Sequence, residues 1–210
     1  MNKFEEMSSQ YLRETYVPDV YQKTIFSIDY SRLQEAGIKL ISFDIDDTIV
    51  ALEGHSIDKA TVTLFEKLKM MGFSLVMISN NVSESRVLHF SKKLGIDGIA
   101  NADKPSLDCF RTIIDRYEKT HNEKITPREM AHIGNSLLSD VASGNTFGVT
   151  TCLVRNVGNL IKVIKIVRPA ERELRDVLEK RGIWVKHHQN ERHDQYYQLG
   201  ELPAYRKDDK

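Results

Sequence analysis

Short apolar runs alternate with helix-period segments along most of the chain, and this alternation restricts the fold more than any other feature of the sequence. Residues Ile38 to Phe43 are apolar and stop abruptly in a cluster of acids. Phe73 to Ser79, Ile96 to Ala100, Met130 to Gly134 and Val149 to Val154 have similar character. Short apolar runs of this kind read as strands buried on both faces. Between them, Leu64, Phe65, Leu68 and Met71 recur at helical spacing from Ile57 until Gly72. Ser83 opens a second helix with Val87, Phe90 and Leu94 on one face before Gly95, and Leu107, Phe110, Ile114 and Tyr117 mark a third. A short fourth helix is expected from Ser139 to Phe147. Repeated β-α units predict an α/β fold: a three-layer, doubly wound parallel sheet of Rossmann-like type with right-handed crossovers.

The chain has 210 residues, and its 30 basic side chains balance its 30 acidic ones. No apolar run reaches the roughly 18 to 20 residues that a membrane-spanning helix needs. Zero net charge argues against a dedicated nucleic-acid binder. The opening MNKFEEMSSQYLRE carries acids where a signal peptide has a basic region and an apolar core, so a cytoplasmic location is expected. Cys109 and Cys152 fall in an apparent helix and an apparent strand and read as packed thiols.

Ligands of open parallel sheets bind beyond the carboxyl ends of the strands, so the chemistry is to be read there. The first strand runs into Asp44, Asp46, Asp47 and Thr48, and the second into Ser79, Asn80 and Asn81. The third is followed by Asp103 and Lys104, the fourth by Asn135 and then Asp140. Three carboxylates within four residues at a buried strand end repel one another unless a cation neutralises them. Oxygen donors of this kind suit Mg²⁺, which takes part of its shell from substrate phosphate. Asp44, first out of the strand, fits a nucleophile that forms an aspartyl-phosphate, and Asp46 fits the acid and base of the two half-reactions. Thr48, Ser79, Asn80 and Lys104 are candidate phosphate ligands. Carboxylates from two loops, Asp44 and Asp140 among them, are candidate metal ligands together with a backbone carbonyl and waters. Taken singly, each motif has an ordinary explanation as a turn or a helix cap. Four strand ends that all offer the groups one phosphoryl-transfer site needs favour a shared site.

At these residues the chain resembles the haloacid dehalogenase superfamily, whose DxDxT motif, strand-two Ser or Thr, Lys and strand-four acids are matched in order by FDIDDT, ISNN, ADKP and IGNSLLSD. The stretches ISNNVSESRV, ANADKP, DVASGNTFGVTTCLV and ERELRDVLEKRG are similar to the YqeG-type phosphatases of subclass IIIA, relatives of the mitochondrial phosphatidylglycerophosphate phosphatases. The resemblance runs from about Tyr11 to Trp184. It implies Asp44 as nucleophile, Asp46 as acid/base and carbonyl ligand of Mg²⁺, Ser79 and Lys104 on phosphate, and Asp140 near the metal. The departure is Asn135, where the family pattern has Asp as a metal ligand. The 30 residues between Thr48 and Ser79, and the 23 between Asn80 and Lys104, leave no room for the cap domains of the superfamily, so the site is expected to be open.

The expected function is therefore a Mg²⁺-dependent phosphomonoester hydrolase, acting on a phosphorylated substrate whose identity the sequence does not disclose, with a phospholipid head group such as phosphatidylglycerophosphate as one option. The alternative is a phosphate-binding or scaffolding protein weakened by Asn135. Residues 1–185 are expected to form one domain, including the N-terminal lead-in and a C-terminal helix with Leu174, Val177 and Leu178 facing the body. Residues 186–210 are expected to form a polar, mobile tail. Lys162, Lys165 and Arg168 in NLIKVIKIVR raise a peripheral contact with anionic membrane, although a helix packed on the body with its lysines in water is the favoured reading. His187, His188 and His193 read as solvated tail residues, His132 as structural, and His55 as a flap residue within reach of substrate.

Overall fold

The computed structural model describes residues 2–52, 54–155, 157, 169–184 and 195–201. Its principal elements are α1 (Ser9–Tyr16), β1 (Val20–Gln22), α2 (Tyr30–Glu35), β2 (Leu40–Phe43), α3 (Lys59–Met70), β3 (Ser74–Ile78), α4 (Glu84–Leu94), β4 (Asp97–Ile99), α5 (Asp108–His121), β5 (Met130–Gly134), α6 (Ala142–Phe147), β6 (Thr150–Val154) and α7 (Pro169–Lys180). The six strands form one sheet in the order β1-β6-β5-β2-β3-β4, and every pair within it is parallel. The apolar run that ends in Phe43 lies at the centre, between β5 and β3, so the acids after it emerge where the strand order reverses.

Alternate residues of each strand serve opposite layers. Ile41, Phe43, Leu75, Met77, Ala131 and Ile133 pack with Tyr30 and Leu33 of α2, Phe65 and Leu68 of α3, and Val87, Phe90 and Leu94 of α4. The intervening Leu40, Val76, Ile78 and Met130 pack with Phe110, Ile113 and Tyr117 of α5. On that second face, α1, α6 and α7 cluster with Tyr21 and Leu153 through Leu12, Ala142, Leu174, Val177 and Leu178. Both faces of the sheet are therefore covered, which is the α/β arrangement that continuous apolar strands require. The rings of Phe43 and Phe65 lie 4.7 Å apart at the middle of the first layer. Truncating either to Ala costs about 3 to 5 kcal/mol.

Local signals set the helix ends. Asp58 accepts the Thr61 amide at 2.7 Å to cap α3, and Ser83 accepts the Arg86 amide at 3.3 Å to cap α4. Gly95 closes α4 in the left-handed region at φ 61°. In α5 the inner face falls on Cys109, Phe110, Ile113 and Tyr117, so Ile113 takes the buried place expected of Ile114. The fourth helix begins earlier than Ser139, because a single π-helical turn, Leu137–Val141, precedes α6.

Two features depart from the sequence reading. Strand β1 was not expected, because three residues after a proline carry no periodic signal. The expectation of a mobile stretch over 186–210 does not hold for residues 195–201. Tyr197 is buried and pairs antiparallel with Tyr21, with amide-to-carbonyl distances of 3.0 and 2.9 Å, and its hydroxyl donates to the Pro18 carbonyl at 2.7 Å. An aromatic side chain with a satisfied hydroxyl gains enough from burial to hold a polar segment in place. The NLIKVIKIVR stretch from residue 159 to 168 and His187, His188 and His193 lie outside the described residues. Among the described residues no helix is long and apolar enough to cross a membrane.

Candidate active site

Asp44, Asp46, Thr48, Ser79, Lys104, Asn135 and Asp140, singled out from the sequence, meet at one edge of the sheet. Their centre is the ammonium of Lys104, which donates to Asp44 Oδ1 at 2.8 Å, to Asp140 Oδ1 at 2.6 Å and to the Ile78 carbonyl at 3.1 Å. The Lys104 side chain is 1% exposed, so these contacts act in a medium where charge is poorly screened. Burial works against its charged form, but Asp140 and Asp44 outweigh it and raise its pKa. Burial also pushes the Asp44 carboxyl up to about 6, although Lys104 pulls in the other direction. The second oxygen of Asp44 accepts the Thr48 hydroxyl at 3.1 Å. Thr48, expected to bind phosphate, is thus engaged in orienting Asp44.

Asp140 is saturated by protein donors. Lys104 and His132 Nε2, at 3.3 Å, share its Oδ1, and the amides of Asn135 and Ser136 donate to its Oδ2 at 3.1 and 2.9 Å. Burial opposes its ionisation, yet Lys104 and then His132 overcome this and hold its carboxyl well below the usual carboxylate range. Burial keeps the His132 pKa low, so the neutral ring donates from Nε2 to Asp140 and accepts at Nδ1 from the Ser42 hydroxyl, 2.8 Å away. Asp140, expected as a metal ligand, thus fixes Lys104 and the Asn135 loop through both of its oxygens. A Cβ at Gly134 would collide with the Asp140 carboxylate, which is why the strand ends in glycine there.

Asn80 and Asn81 divide their labour in a way the sequence does not disclose. Asn80 clamps the backbone of Lys104, accepting its N–H at 2.8 Å and donating to its carbonyl at 2.9 Å. Asn80, expected to contact phosphate, thus has one N–H and its oxygen on the Lys104 backbone. Asn81 instead donates to Asp46 Oδ2 at 3.2 Å, and the Ser79 hydroxyl lies 3.5 Å from the same oxygen. Lys104 precedes Pro105 through a cis peptide bond.

Asp46 was singled out from the sequence, but its chief partner was not. Arg86 of α4 grips Asp46 Oδ1 with Nε at 3.1 Å and Nη2 at 2.8 Å. The same guanidinium donates to the Gly54 carbonyl at 2.6 Å and the Leu52 carbonyl at 3.4 Å, both in the flap after β2. Asp47 adopts the left-handed region at φ 61°, tolerated by Asp and Asn, and its Oδ1 accepts the Leu52 amide at 2.9 Å. Its carbonyl accepts the Val157 amide at 2.8 Å, tying the flap to the loop after β6. Asp47 is thus tied to the flap through both its side chain and its backbone. His55 is exposed in that flap.

The residues present offer oxygen donors to a hard cation: the Asp44 carboxylate, the Asp46 carbonyl and the Asn135 amide. Asn135 is buried and its Nδ2 donates to that carbonyl at 3.3 Å. A half-turn of the amide exchanges its nitrogen and oxygen within the same space. The donor types fit Mg²⁺, with one formal negative charge fewer than an Asp would give. Among the described residues no group of three His, Cys, Asp or Glu side chains forms a metal cluster.

An all-parallel sheet with a lysine bridging two strand-end carboxylates belongs to a class of hydrolases, and comparison with known proteins specifies it. The profile of haloacid dehalogenase-like hydrolases matches residues 29–148. The chain is 32% identical over 172 residues to the Probable phosphatase YqeG of Bacillus subtilis (strain 168), which covers 81% of this chain and 96% of that protein. The chain belongs to the haloacid dehalogenase-like hydrolases, and among them to the phosphatases. Of the solved structures, a 3-deoxy-D-manno-octulosonate 8-phosphate phosphatase from Moraxella catarrhalis, crystallised with magnesium, phosphate and a KDO molecule, aligns over 72% of this chain and 98% of its own, at 19% identity and a TM-score of 0.41. An uncharacterized protein from Listeria monocytogenes serotype 4b aligns over 63% and 98%, at 18% identity and a TM-score of 0.42.

Proposed function

We propose that the protein is a Mg²⁺-dependent phosphomonoester hydrolase working through an aspartyl-phosphate on Asp44. The observation that carries this reading is the pair of contacts that fix both Asp44 oxygens, Lys104 at 2.8 Å and Thr48 at 3.1 Å, in a site that already holds a buried cation. A carboxylate so held attacks in one orientation, and the ammonium beside it meets the negative charge of an entering phosphate.

In the first half-reaction an Asp44 oxygen bonds to phosphorus while the ester P–O bond breaks. The bonding pair passes to the leaving oxygen, which takes a proton from Asp46. In the second, water attacks phosphorus, Asp46 accepts the water proton, and the bond to Asp44 breaks to regenerate its carboxylate and release phosphate. The Ser79 hydroxyl and Lys104 donate to the phosphoryl oxygens throughout. Magnesium, when bound, supplies positive charge that offsets the repulsion between an anionic nucleophile and an anionic substrate. Asp44, the Asp46 carbonyl and the Asn135 amide oxygen would hold it, with Asp140 contributing charge from behind.

The substrate in this reading is a bulky phosphomonoester. The loops after β2 and β3 are too short to hold a cap, and Leu52, Val82 and Val157 stand exposed on three of the loops at this end of the sheet. Such a rim suits an apolar portion beside the phosphate, as on a phospholipid head group such as phosphatidylglycerophosphate, and peripheral contact with anionic membrane would accompany it. Cosedimentation with anionic and neutral vesicles tests that contact.

The reaction is tested by phosphate release from a panel of phosphomonoesters, including p-nitrophenyl phosphate, with and without Mg²⁺, beside Asp44→Asn. Mg²⁺-dependent release that the substitution abolishes is expected. One observation favours a second reading, phosphate binding or scaffolding with little turnover: the Asn135 amide donates to the carbonyl that a metal would use. No release at any Mg²⁺ concentration, with phosphate binding retained, supports that alternative.

A further inference from the structure

Arg86 is the penultimate residue of the stretch ISNNVSESRV and has no part in the reaction as described above. It stands in the first turn of α4, a helix anchored by Val87, Phe90 and Leu94, and its guanidinium lies 4.8 Å from the centre of the Phe90 ring. From this fixed base it reaches a catalytic carboxylate and two carbonyls of the flap at once. Nε and Nη2 take Asp46 Oδ1, Nη1 takes the Gly54 carbonyl, and Nη2 also approaches the Leu52 carbonyl. The side chains of Arg86 and Asp46 are 14% and 16% exposed, so the pair is largely sheltered from solvent. Such a divergent set of acceptors needs the rigid fork of arginine, which lysine does not reproduce.

We propose that Arg86 is a positioning residue that ties the flap, through the Leu52 and Gly54 carbonyls, to the Asp46 carboxylate, so that holding the flap and aiming the acid/base group depend on the same side chain. This inference rests on the reading of Asp46 as the acid that protonates the leaving oxygen. Arg86 itself touches neither phosphorus nor the leaving group. Loss of Arg86 would leave the Asp44 nucleophile and Lys104 in place and misdirect the proton donor.

A poor leaving group requires that proton as the P–O bond breaks, whereas p-nitrophenolate departs without it. The test therefore compares kcat/KM on p-nitrophenyl phosphate and phenyl phosphate for the unsubstituted protein, Arg86→Ala, Arg86→Lys and Asp46→Asn. Arg86→Ala is expected to lose at least about tenfold more on phenyl phosphate than on p-nitrophenyl phosphate, as is Asp46→Asn, and Arg86→Lys to remain defective in the same sense. Equal losses on both substrates for the Arg86 variants, with the skew present in Asp46→Asn, overturn the proposal. If Asp46→Asn itself shows no skew, it is the acid role of Asp46 that fails. Amide hydrogen exchange supplies the second readout, independent of turnover. Amides of residues 50–52 and 54–57 should exchange about tenfold faster or more in Arg86→Ala and in Asp46→Asn, while those of α4 keep their protection. Unchanged flap exchange in both variants overturns the coupling, whether or not phosphate is released.

Discussion

The ammonium of Lys104 lies 2.8 Å from Asp44 Oδ1 and 2.6 Å from Asp140 Oδ1, so a single buried cation holds together two strand ends that like charge would drive apart. Substituting it by Met retains the stem and leaves the two carboxylates facing one another. Removing one partner of a buried pair costs about 3 to 5 kcal/mol. Lys104→Met should lose stability of that order in urea unfolding of the metal-free protein at pH 8. The loss should shrink at pH 5, where Asp44 relieves the repulsion by taking a proton. Turnover should fall about a hundredfold or more, since a charge aimed at the transition state is gone.

Asp44 gives the site a pH dependence with a definite sign. Burial raises its carboxyl to about 6, above the value of about 3.9 expected of the unfolded chain. The protonated form is thus favoured in the folded state, and its contribution to stability is complete below pH about 4 and lost as pH rises through about 6. Asp44→Asn imitates that form, so its stability advantage over the unsubstituted protein should grow between pH 4 and 6 and then level off. Attack on phosphorus needs the carboxylate, so activity should fall about tenfold per unit below pH 6. Because a nearby cation favours the charged form, raising Mg²⁺ should move that limb to lower pH. A limb that does not move with Mg²⁺ would count against a metal beside Asp44.

Much of this site was legible because buried parallel strands announce both themselves and their ends. Asp44, Ser79, Lys104 and Asn135 could be placed at one edge of the sheet from apolar runs alone, and the helix faces of Phe65, Phe90 and Phe110 followed from period. What the sequence conceals is direction within a loop. Asn80 and Asn81 are neighbours of identical chemistry, yet one clamps the Lys104 backbone and the other faces Asp46. Arg86 lies 40 positions from Asp46 on a helix surface whose pattern reads as solvated. Tyr197 and β1 were obscured for a related reason, since each is a short segment ordered by a distant partner and not by its own periodicity.

Asn135 bears on how tightly the site holds its metal. Its amide faces the Asp46 carbonyl at 3.3 Å and brings no charge. Asn135→Asp adds a carboxylate beside that carbonyl, which favours a divalent cation and penalises its absence. The substitution should tighten Mg²⁺ binding about tenfold or more in calorimetry while changing kcat little at saturating metal. The metal-free variant should melt below the unsubstituted protein and recover when Mg²⁺ is added. A large rescue from near-zero activity would instead support the binding-protein reading.

Tyr197 covers the outer edge of β1, where the backbone of Tyr21 would otherwise present an unpaired donor and acceptor on that side. The segment around it is secured by the two backbone bonds to Tyr21, by the hydroxyl bond to Pro18, by Gln198, which donates to the Ser27 carbonyl at 2.8 Å and accepts the Asp29 amide at 3.0 Å, and by Arg32, which reaches the Leu199 carbonyl at 3.3 Å and the Glu201 carboxylate at 2.8 Å. Tyr197→Phe keeps the packing and deprives the Pro18 carbonyl of its donor, at a cost of about 1 kcal/mol. Tyr197→Ala also empties the space beside the Tyr21 ring and should cost about 3 kcal/mol in urea unfolding. A chain ending at residue 194 loses the whole strap and uncovers a strand edge, which is a template for pairing with a second copy. That shortened chain should associate with rising concentration in sedimentation velocity, whereas Tyr197→Phe should sediment as the unsubstituted protein does. The active site lies at the far side of β5 and β6 from this edge, so kcat of Tyr197→Phe should stay within about twofold of the unsubstituted value.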